Sequence, residues 1–518
     1  MKYINPVIRG FYPDPSVCRA GEYFYLVCSS FQYFPALPLF RSKDMIEWEQ
    51  IGHCITRKSQ LDLSGCRASG GLFAPTIRYN NGRFYVVVTN TDGNGNFYLY
   101  TDDIEGEWSE PISVDRGGID PSLLFNGDKT YFMSNGEDDF GESGISLCEI
   151  EIETGKVTSP CKCICKGTGG RFIEAPHIYH IGEYYYLLVA EGGTEYGHTE
   201  CLFRSREPFG EYESCPHNPV LTNRHLGGYM IQGAGHADIT CDDNGQWWMV
   251  NLAFRQIDQW RQFHHLGREV FLEPIYWQED GWFKVGSDGT SRIEFEVNES
   301  GCTHSLTPLP YPEEKWSIDP KTACYIRCPD YDNYKIGENG EILLRGTAEK
   351  LNGRGNVTFI GDRQHEFDCT AQVWVKGSTL GENTRCGLTA YMDESNHYDL
   401  TVQKADEGFK IEGVITVGGT ALHNKEIVLK SEDIRLQIHA TAHYYSLHAF
   451  DGEKELTMGF TIDERHFNET VQGEWIIMGG MESKYLSSEV CEGFTGVVIG
   501  IFCEDSSDNA DFVSFTVK

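Results

Sequence analysis

The chain has 518 residues, with 43 lysines and arginines against 77 aspartates and glutamates, a formal charge of −34. That balance argues against nucleic acid and against an anionic membrane surface, because both are bound through Lys and Arg, but it leaves a neutral substrate such as a sugar open. One core rarely organises more than about 250–300 residues, so two domains are expected, and the 13% aromatic content favours β-structure.

No apolar leader follows Met1, and no apolar run reaches membrane-spanning length. The expectation is a cytoplasmic protein whose 18 cysteines are reduced thiols. Cys161, Cys163 and Cys165 alternate, which predicts three thiols on one face of a strand. Spacing of two is not the usual zinc pattern, so no metal is assigned there.

Five segments share one pattern, a turn carrying glycine followed by an aromatic, β-branched strand. They are "DPSVCRAGEYFYLV" from Asp14, "APTIRYNNGRFYVVV" from Ala74, "DPSLLFNGDKTYFM" from Asp120, "APHIYHIGEYYYLL" from Ala175 and "GHADITCDDNGQWWMV" from Gly235. The turn glycines are Gly21, Gly82, Gly127, Gly182 and Gly245. Each copy reads as a hairpin, and further strand-like stretches such as "LFRSKDMIEWEQ" bring each unit to about four strands. Four-stranded units repeated five times predict an all-β, five-bladed β-propeller over residues 1–305. A sandwich of hairpins would not place the same dipeptide at the same point of each unit. Asp92-Gly-Asn-Gly-Asn96 lacks the downstream glutamate of a calcium loop and reads as a turn.

After the repeat, "THSLTPLPYPEEKW" predicts a linker over 306–318. Alternating stretches from Thr370, Gly387 and Asp433, then "FTGVVIGIFCED" and "DFVSFTV", predict a β-sandwich over 319–518 of concanavalin or jelly-roll type.

In a propeller the first strand of each blade lines the central channel, so residues at its head converge. Asp14 and Asp120 stand directly before a proline there, Glu174 stands just before Ala175-Pro176, the second unit has Phe73-Ala74-Pro75, and the fifth has His236. Any one Asp-Pro is an ordinary turn dipeptide. Three acids and a histidine in repeat register are the arrangement acid–base chemistry needs, since crowding keeps one carboxyl protonated beside another that is ionised.

These residues sit in longer motifs: "NPVIRGFYPDPS", "SSFQYFP", "SGGLFAP", "GGIDPSLLF", "IEAPHIY", "AEGGTEYGH", "GAGHADI" and "HLGREVFLEP". Together they closely resemble glycoside hydrolase family 43, in the branch of β-xylosidases and α-L-arabinofuranosidases with a C-terminal β-sandwich. The resemblance covers essentially the whole chain. It implies an exo-acting, inverting hydrolase releasing terminal xylose or arabinose, with Asp14 as general base, Glu174 as general acid and Asp120 as the residue that orients Glu174 and raises its pKa. Inverting enzymes keep acid and base roughly 6.5–9.5 Å apart, a gap that suits carboxylates from different blades. The resemblance also implies a sugar pocket of Arg268, the aromatic walls Phe31 and Phe73, Thr194 and Glu195 on the leaving-group side, His236, and Phe494 from the sandwich. Many relatives carry Trp where Phe73 stands, and some carry a basic residue where Glu195 stands. The matching histidine of some relatives lies near the third acid, and in others beside a hydrated cation. His236 is therefore the one position near which calcium is considered, although no cofactor is required. The partner is a small neutral oligosaccharide. The subunit number is unreadable, with a homo-oligomer among the outcomes because relatives often form dimers or tetramers. Two other readings are a non-catalytic carbohydrate-binding protein on the same fold and an endo-arabinanase.

Overall fold

The computed structural model describes every residue except 287, 299–300, 306–310, 312–315, 339, 463–464, 505–512 and 518. Two compact units divide between Glu313 and Glu314. Most of the expected linker, residues 306–310 and 312–315, lies outside the described residues.

The first unit is built from five antiparallel sheets in chain order, whose innermost strands are Ser16–Ala20, Leu72–Asn80, Ile119–Asn126, Glu174–Ile181 and Ile231–Cys241. These five strands pack side by side round an axis, the last against the first. Each is followed by a tight hairpin at the expected glycine, and all five glycines have positive φ, from 62° at Gly21 to 87° at Gly82. A Cβ at any of them would meet nothing within 4 Å, so backbone conformation rather than space selects glycine there.

The second strand of each blade is apolar on both faces: Leu26, Val86, Met133, Leu187 and Val250 are all fully buried. Blades stack face to face, so neither side of these strands sees water. Apolar clusters accordingly straddle neighbouring blades, as where Tyr85, Val87 and Tyr98 meet Leu123, Phe132 and Cys148. Asp92 falls in the connection between Arg83–Asn90 and Gly95–Thr101, the turn that was expected.

The three cysteines do not share a face. Cys161 precedes the strand Lys162–Cys165 and joins the cluster between blades 2 and 3, while Cys165 joins the one between blades 3 and 4. A bulge where this strand pairs with Ile145 and Ser146 breaks the period of two. The cysteines whose side chains are described are in no disulfide, and among the described residues no group of three or more His, Cys, Asp or Glu is placed to hold a metal ion.

The ring is closed by the N-terminus. Lys2–Ile4 pairs with Glu294–Asn298, and the following residues run along the third strand of blade 5, Glu269–Trp277. Val7 N donates to Val270 O (2.8 Å), Val270 N to Ile8 O (3.0 Å) and Tyr12 N to Arg268 O (3.0 Å). The buried Asn5 amide completes the seam, donating to Leu272 O (3.0 Å) and Arg292 O (3.1 Å) and accepting from Leu272 N (2.9 Å).

The second unit holds a seven-stranded sheet and a six-stranded sheet around one core that includes Leu344, Val373, Leu388, Leu400 and Ile501. The stretches read from Gly387 and Asp433 each hold two strands joined by a turn, Arg385–Asp393 with Asn396–Ala405 and Asp433–Ala440 with Tyr444–Ile462. Its one α-helix among the described residues is the single turn Ser488–Cys491.

Asn5→Ala tests the seam. It removes four hydrogen bonds, the fourth to Glu273 Oε1 (3.4 Å), and takes their side-chain partner from Leu272 N and Arg292 O, while Leu272 O keeps the Tyr3 hydroxyl (2.7 Å). The expected cost is about 2–4 kcal/mol, read as a lower urea midpoint of the first unfolding transition.

Candidate functional site

The heads of the five innermost strands share one backbone feature. Asp14, Ala74, Asp120, Ala175 and His236 all have left-handed φ, at 55°, 41°, 55°, 52° and 53°. Four of the five precede proline. In blades 2 to 5 this residue sits in a β-bulge, where pairing with the second strand slips. The repeat position of blade 4 is therefore Ala175, and Glu174 stands one residue before it, in register with Phe73 of blade 2. The bulge, which ignores simple alternation, is what lets a residue one step out of register still reach the site.

Two residues beyond each head, side chains tie the blades together. Thr76 Oγ1 donates to Pro121 O (2.8 Å), Ser122 Oγ to Pro176 O, and Ser16 Oγ to Asp238 Oδ2 (2.6 Å). Deeper still, Arg78 pairs with the fully buried Asp238 at 2.7 Å and meets His177 Nδ1 at 2.8 Å, while the Tyr179 hydroxyl donates to Asp238. This set was not found from the sequence, although it follows the same period of two: 74, 76, 78; 175, 177, 179; 236, 238.

Asp14 is 6% exposed and takes three partners: the Ser29 hydroxyl donates to Oδ2 (2.5 Å), Arg268 Nη1 lies 3.4 Å from Oδ1 and His236 Nδ1 3.6 Å from it. Burial pushes this carboxyl up, but Arg268, His236 and Ser29 together hold it below the ordinary aspartate value. Ser29 Oγ also accepts from Ala74 N (2.7 Å), fixing the head of blade 2 to the same hydroxyl. Ser29 belongs to "SSFQYFP", where only the aromatic had been singled out.

Asp120 and Glu174 behave in the opposite sense. Burial, then the charges of Glu174 and Asp14, raise Asp120 well above its usual range. Burial, then Asp14, raise Glu174 to about 7. Both acids are thus pushed towards the protonated form, while Asp14 stays ionised beside Arg268. Asp120 reaches Glu174 through the backbone: Ala175 N donates to Asp120 Oδ2 (3.2 Å).

The structure also brings the other expected residues of the first unit together. Arg268 Nη1 is 2.7 Å from Thr194 Oγ1 and its guanidinium lies 5.9 Å from the Phe31 ring centre. Phe31 and Phe73 meet edge to face at 5.0 Å, with Phe11 stacked behind Phe31 at 5.9 Å. Glu195 pairs with Arg171, which the sequence reading missed. Phe494 belongs to the second unit, between the helical turn and Val498–Glu504.

His236 lies against Asp14 rather than the third acid, a correction to one expectation. Burial keeps it neutral, its pKa lowered. Calcium does not fit this position. The carboxylates nearest His236, Asp14 and Asp238, each face a guanidinium, Arg268 and Arg78, which supply the positive charge a cation would. His198 is packed flat against Gly235, where a Cβ would come within 2.8 Å of its ring, and its Nδ1 lies 2.9 Å from Gly233 O.

The arrangement predicts a carboxyl that titrates near 7 in the wild type. Asp120→Asn removes one member of the pair, so the Glu174 midpoint should fall. Carboxyl-region infrared or carbon NMR titration reads the shift, and an unmoved midpoint would show that Asp120 does not act on Glu174 by charge.

The model of glycosyl hydrolases family 43 matches residues 3–283, and that of the β-xylosidase C-terminal concanavalin A-like domain matches 324–518. A non-reducing end α-L-arabinofuranosidase of Bacteroides ovatus is 37% identical, over 99% of this chain and 94% of its own. A β-xylosidase of Bacillus subtilis is 31% identical over the whole of both chains. The crystal structure of a xylan β-1,4-xylosidase from Bacillus halodurans superposes with a TM-score of 0.85 at 28% identity, again over the whole of both chains. Five antiparallel sheets round an axis, the acids Asp14, Asp120 and Glu174 with Arg268 beside Asp14, and a concanavalin A-like second unit place this chain in glycosyl hydrolase family 43.

Proposed function

We propose that the protein removes terminal xylose or arabinose from hemicellulose-derived oligosaccharides, with inversion at the anomeric carbon. The observation that carries this is the division of charge within one site: Asp14 is held ionised while Glu174 is held protonated up to about 7. Related enzymes named for xylosides and for arabinosides support the pentose.

The sugar lies with its apolar face along Phe31 and Phe73, and Arg268 donates to its hydroxyls. Water enters between the sugar and Asp14. As the glycosidic bond lengthens, Asp14 takes a proton from that water and its oxygen bonds to the anomeric carbon from the face opposite the leaving group. Glu174 gives its proton to the departing oxygen. Atoms and charge balance: one proton enters at Asp14 and one leaves from Glu174, and solvent restores both. Asp14 and Glu174 make no hydrogen bond to each other, so neither quenches its partner, and a carbohydrate-binding protein would need neither group. Inversion follows because the attack is single.

Leaving-group chemistry tests the assignment. An activated aryl glycoside needs little protonation, so Glu174→Ala should cut kcat/KM on a disaccharide by about 10²–10⁴ while costing the aryl substrate far less. Asp14→Ala should lower both alike, because the water needs its base whatever departs. The alkaline limb of the wild-type profile should fall through about pH 7, where Glu174 loses its proton. Equal losses on both substrates for Glu174→Ala would reverse the assignment of acid and base.

A further inference from the structure

Two residues before Glu174, Phe172 is 60% exposed and has left-handed φ of 53°. Both properties are unfavourable for an aromatic side chain, which normally buries its ring and avoids that conformation. The backbone around it is nonetheless firmly held. Buried Glu191 accepts from Thr168 N (2.5 Å), Thr168 Oγ1 (2.8 Å) and Gly170 N (3.0 Å). Gly192 N donates to Arg171 O (2.7 Å), and the Arg171 side chain is paired with Glu195.

The ring itself is half enclosed. The Arg171 guanidinium lies over it at 4.7 Å, and a Cβ at Gly193 would come within 3.3 Å of Phe172 Cδ2. That Cβ would also come within 2.9 Å of Arg171 Nη2, so a side chain at position 193 would push on both groups, and its φ of 79° favours glycine as well. The same short loop reaches both ways: Thr194 meets Arg268, and Glu195 meets Arg171. An exposed aromatic fixed beside the proton donor, and tied to the residue that holds the sugar, is built to face whatever the donor protonates.

We infer that Phe172 is the platform for the leaving group: the sugar ring that carries the departing oxygen stacks on its open side, with the Arg171–Glu195 pair at the edge to meet its hydroxyls. A neutral pyranose or furanose suits this surface, since it offers a C–H face to the ring and hydroxyls to both charges. The paired guanidinium and carboxylate present no net charge to it. The inference rests on the pentosidase reading above and adds the group on the far side of the scissile bond.

The test compares two substrates that leave as alkoxides and so need Glu174 equally: a pentose disaccharide, which places a ring on Phe172, and the methyl pentoside, which does not. Phe172→Ala should lower kcat/KM on the disaccharide at least tenfold more than on the methyl pentoside, and Phe172→Leu, which keeps bulk without a flat face, should do the same. Phe172→Tyr should keep the wild-type ratio. Equal losses on both substrates would mean that Phe172 merely supports the Glu174 segment, and an unchanged ratio in the Ala and Leu variants would equally overturn the platform. Wild-type protein that hydrolyses neither pentoside would instead overturn the reading on which this inference stands.

Discussion

The site depends on one backbone constraint, the left-handed residue at the head of each innermost strand. Outside glycine such a conformation costs about 1–2 kcal/mol per residue, and this chain adopts it at Asp14, Ala74, Asp120, Ala175 and His236. The surrounding hydrogen bonds over-determine it: Ser29 holds Ala74 N, Asp120 holds Ala175 N, and the Thr76 and Ser122 hydroxyls hold the prolyl carbonyls of the next blade. What the kink supplies is direction. An extended strand would send successive side chains alternately to its two faces, whereas the left-handed kink, with a bulge in blades 2 to 5, turns Asp14, Asp120, Glu174 and His236 towards one another.

Ring closure then allocates the charge. Tyr12 N is bonded to Arg268 O, so the residues that lead into Asp14 are paired with the start of the last blade's third strand. Two groups 254 residues apart meet because the first and last parts of the propeller share a sheet edge. Arg268 thus holds Asp14 ionised, and the Asp14 charge together with burial pushes Asp120 and Glu174 towards the protonated form. Below them, the buried Arg78–Asp238 pair is balanced internally. Removing one partner of such a pair costs far more than the pair contributes, about 3–5 kcal/mol, so its value lies in filling the channel with a fixed, neutral unit.

The sequence made the repeat legible because its signals are local. Glycine at a hairpin, proline after a kinked residue and a doubly apolar second strand are each dictated within a few residues, and all five turn glycines adopt the conformation they implied. Signals that depend on closing the ring were hidden. Arg78 and Asp238 are 160 residues apart, and Ser29 stands two residues before the aromatic that marks its motif. Bulges hid the rest. They let Glu174, one residue before the blade 4 head, reach the site and separated three cysteines that alternation alone would have aligned. Residue type marked the chemistry, and register, set by pairing with a distant strand, decided where it pointed.

The order of the blades explains why the acids behave differently. Asp120 and Glu174 come from blades 3 and 4, which are neighbours, and Asp120 bonds to the amide that follows Glu174. Burial and the Asp14 charge raise Glu174 to about 7, and burial with the charges of Glu174 and Asp14 raises Asp120, so the site holds an acid near neutrality. Asp14 comes from blade 1, which in a ring of five is separated from blade 4 by blade 5. It acts on Glu174 by charge, without a hydrogen bond, and the intervening blade contributes His236 and Arg268 to its own side. A displacement with inversion needs a sugar and a water between base and acid. Had the three acids occupied consecutive blades, mutual repulsion would have raised the base with the other two and no ionised carboxylate would have been left to activate water. Blade 2 supplies Phe73 at the register that carries Glu174 in blade 4, and so places an apolar wall where a fourth carboxyl would have crowded the rest.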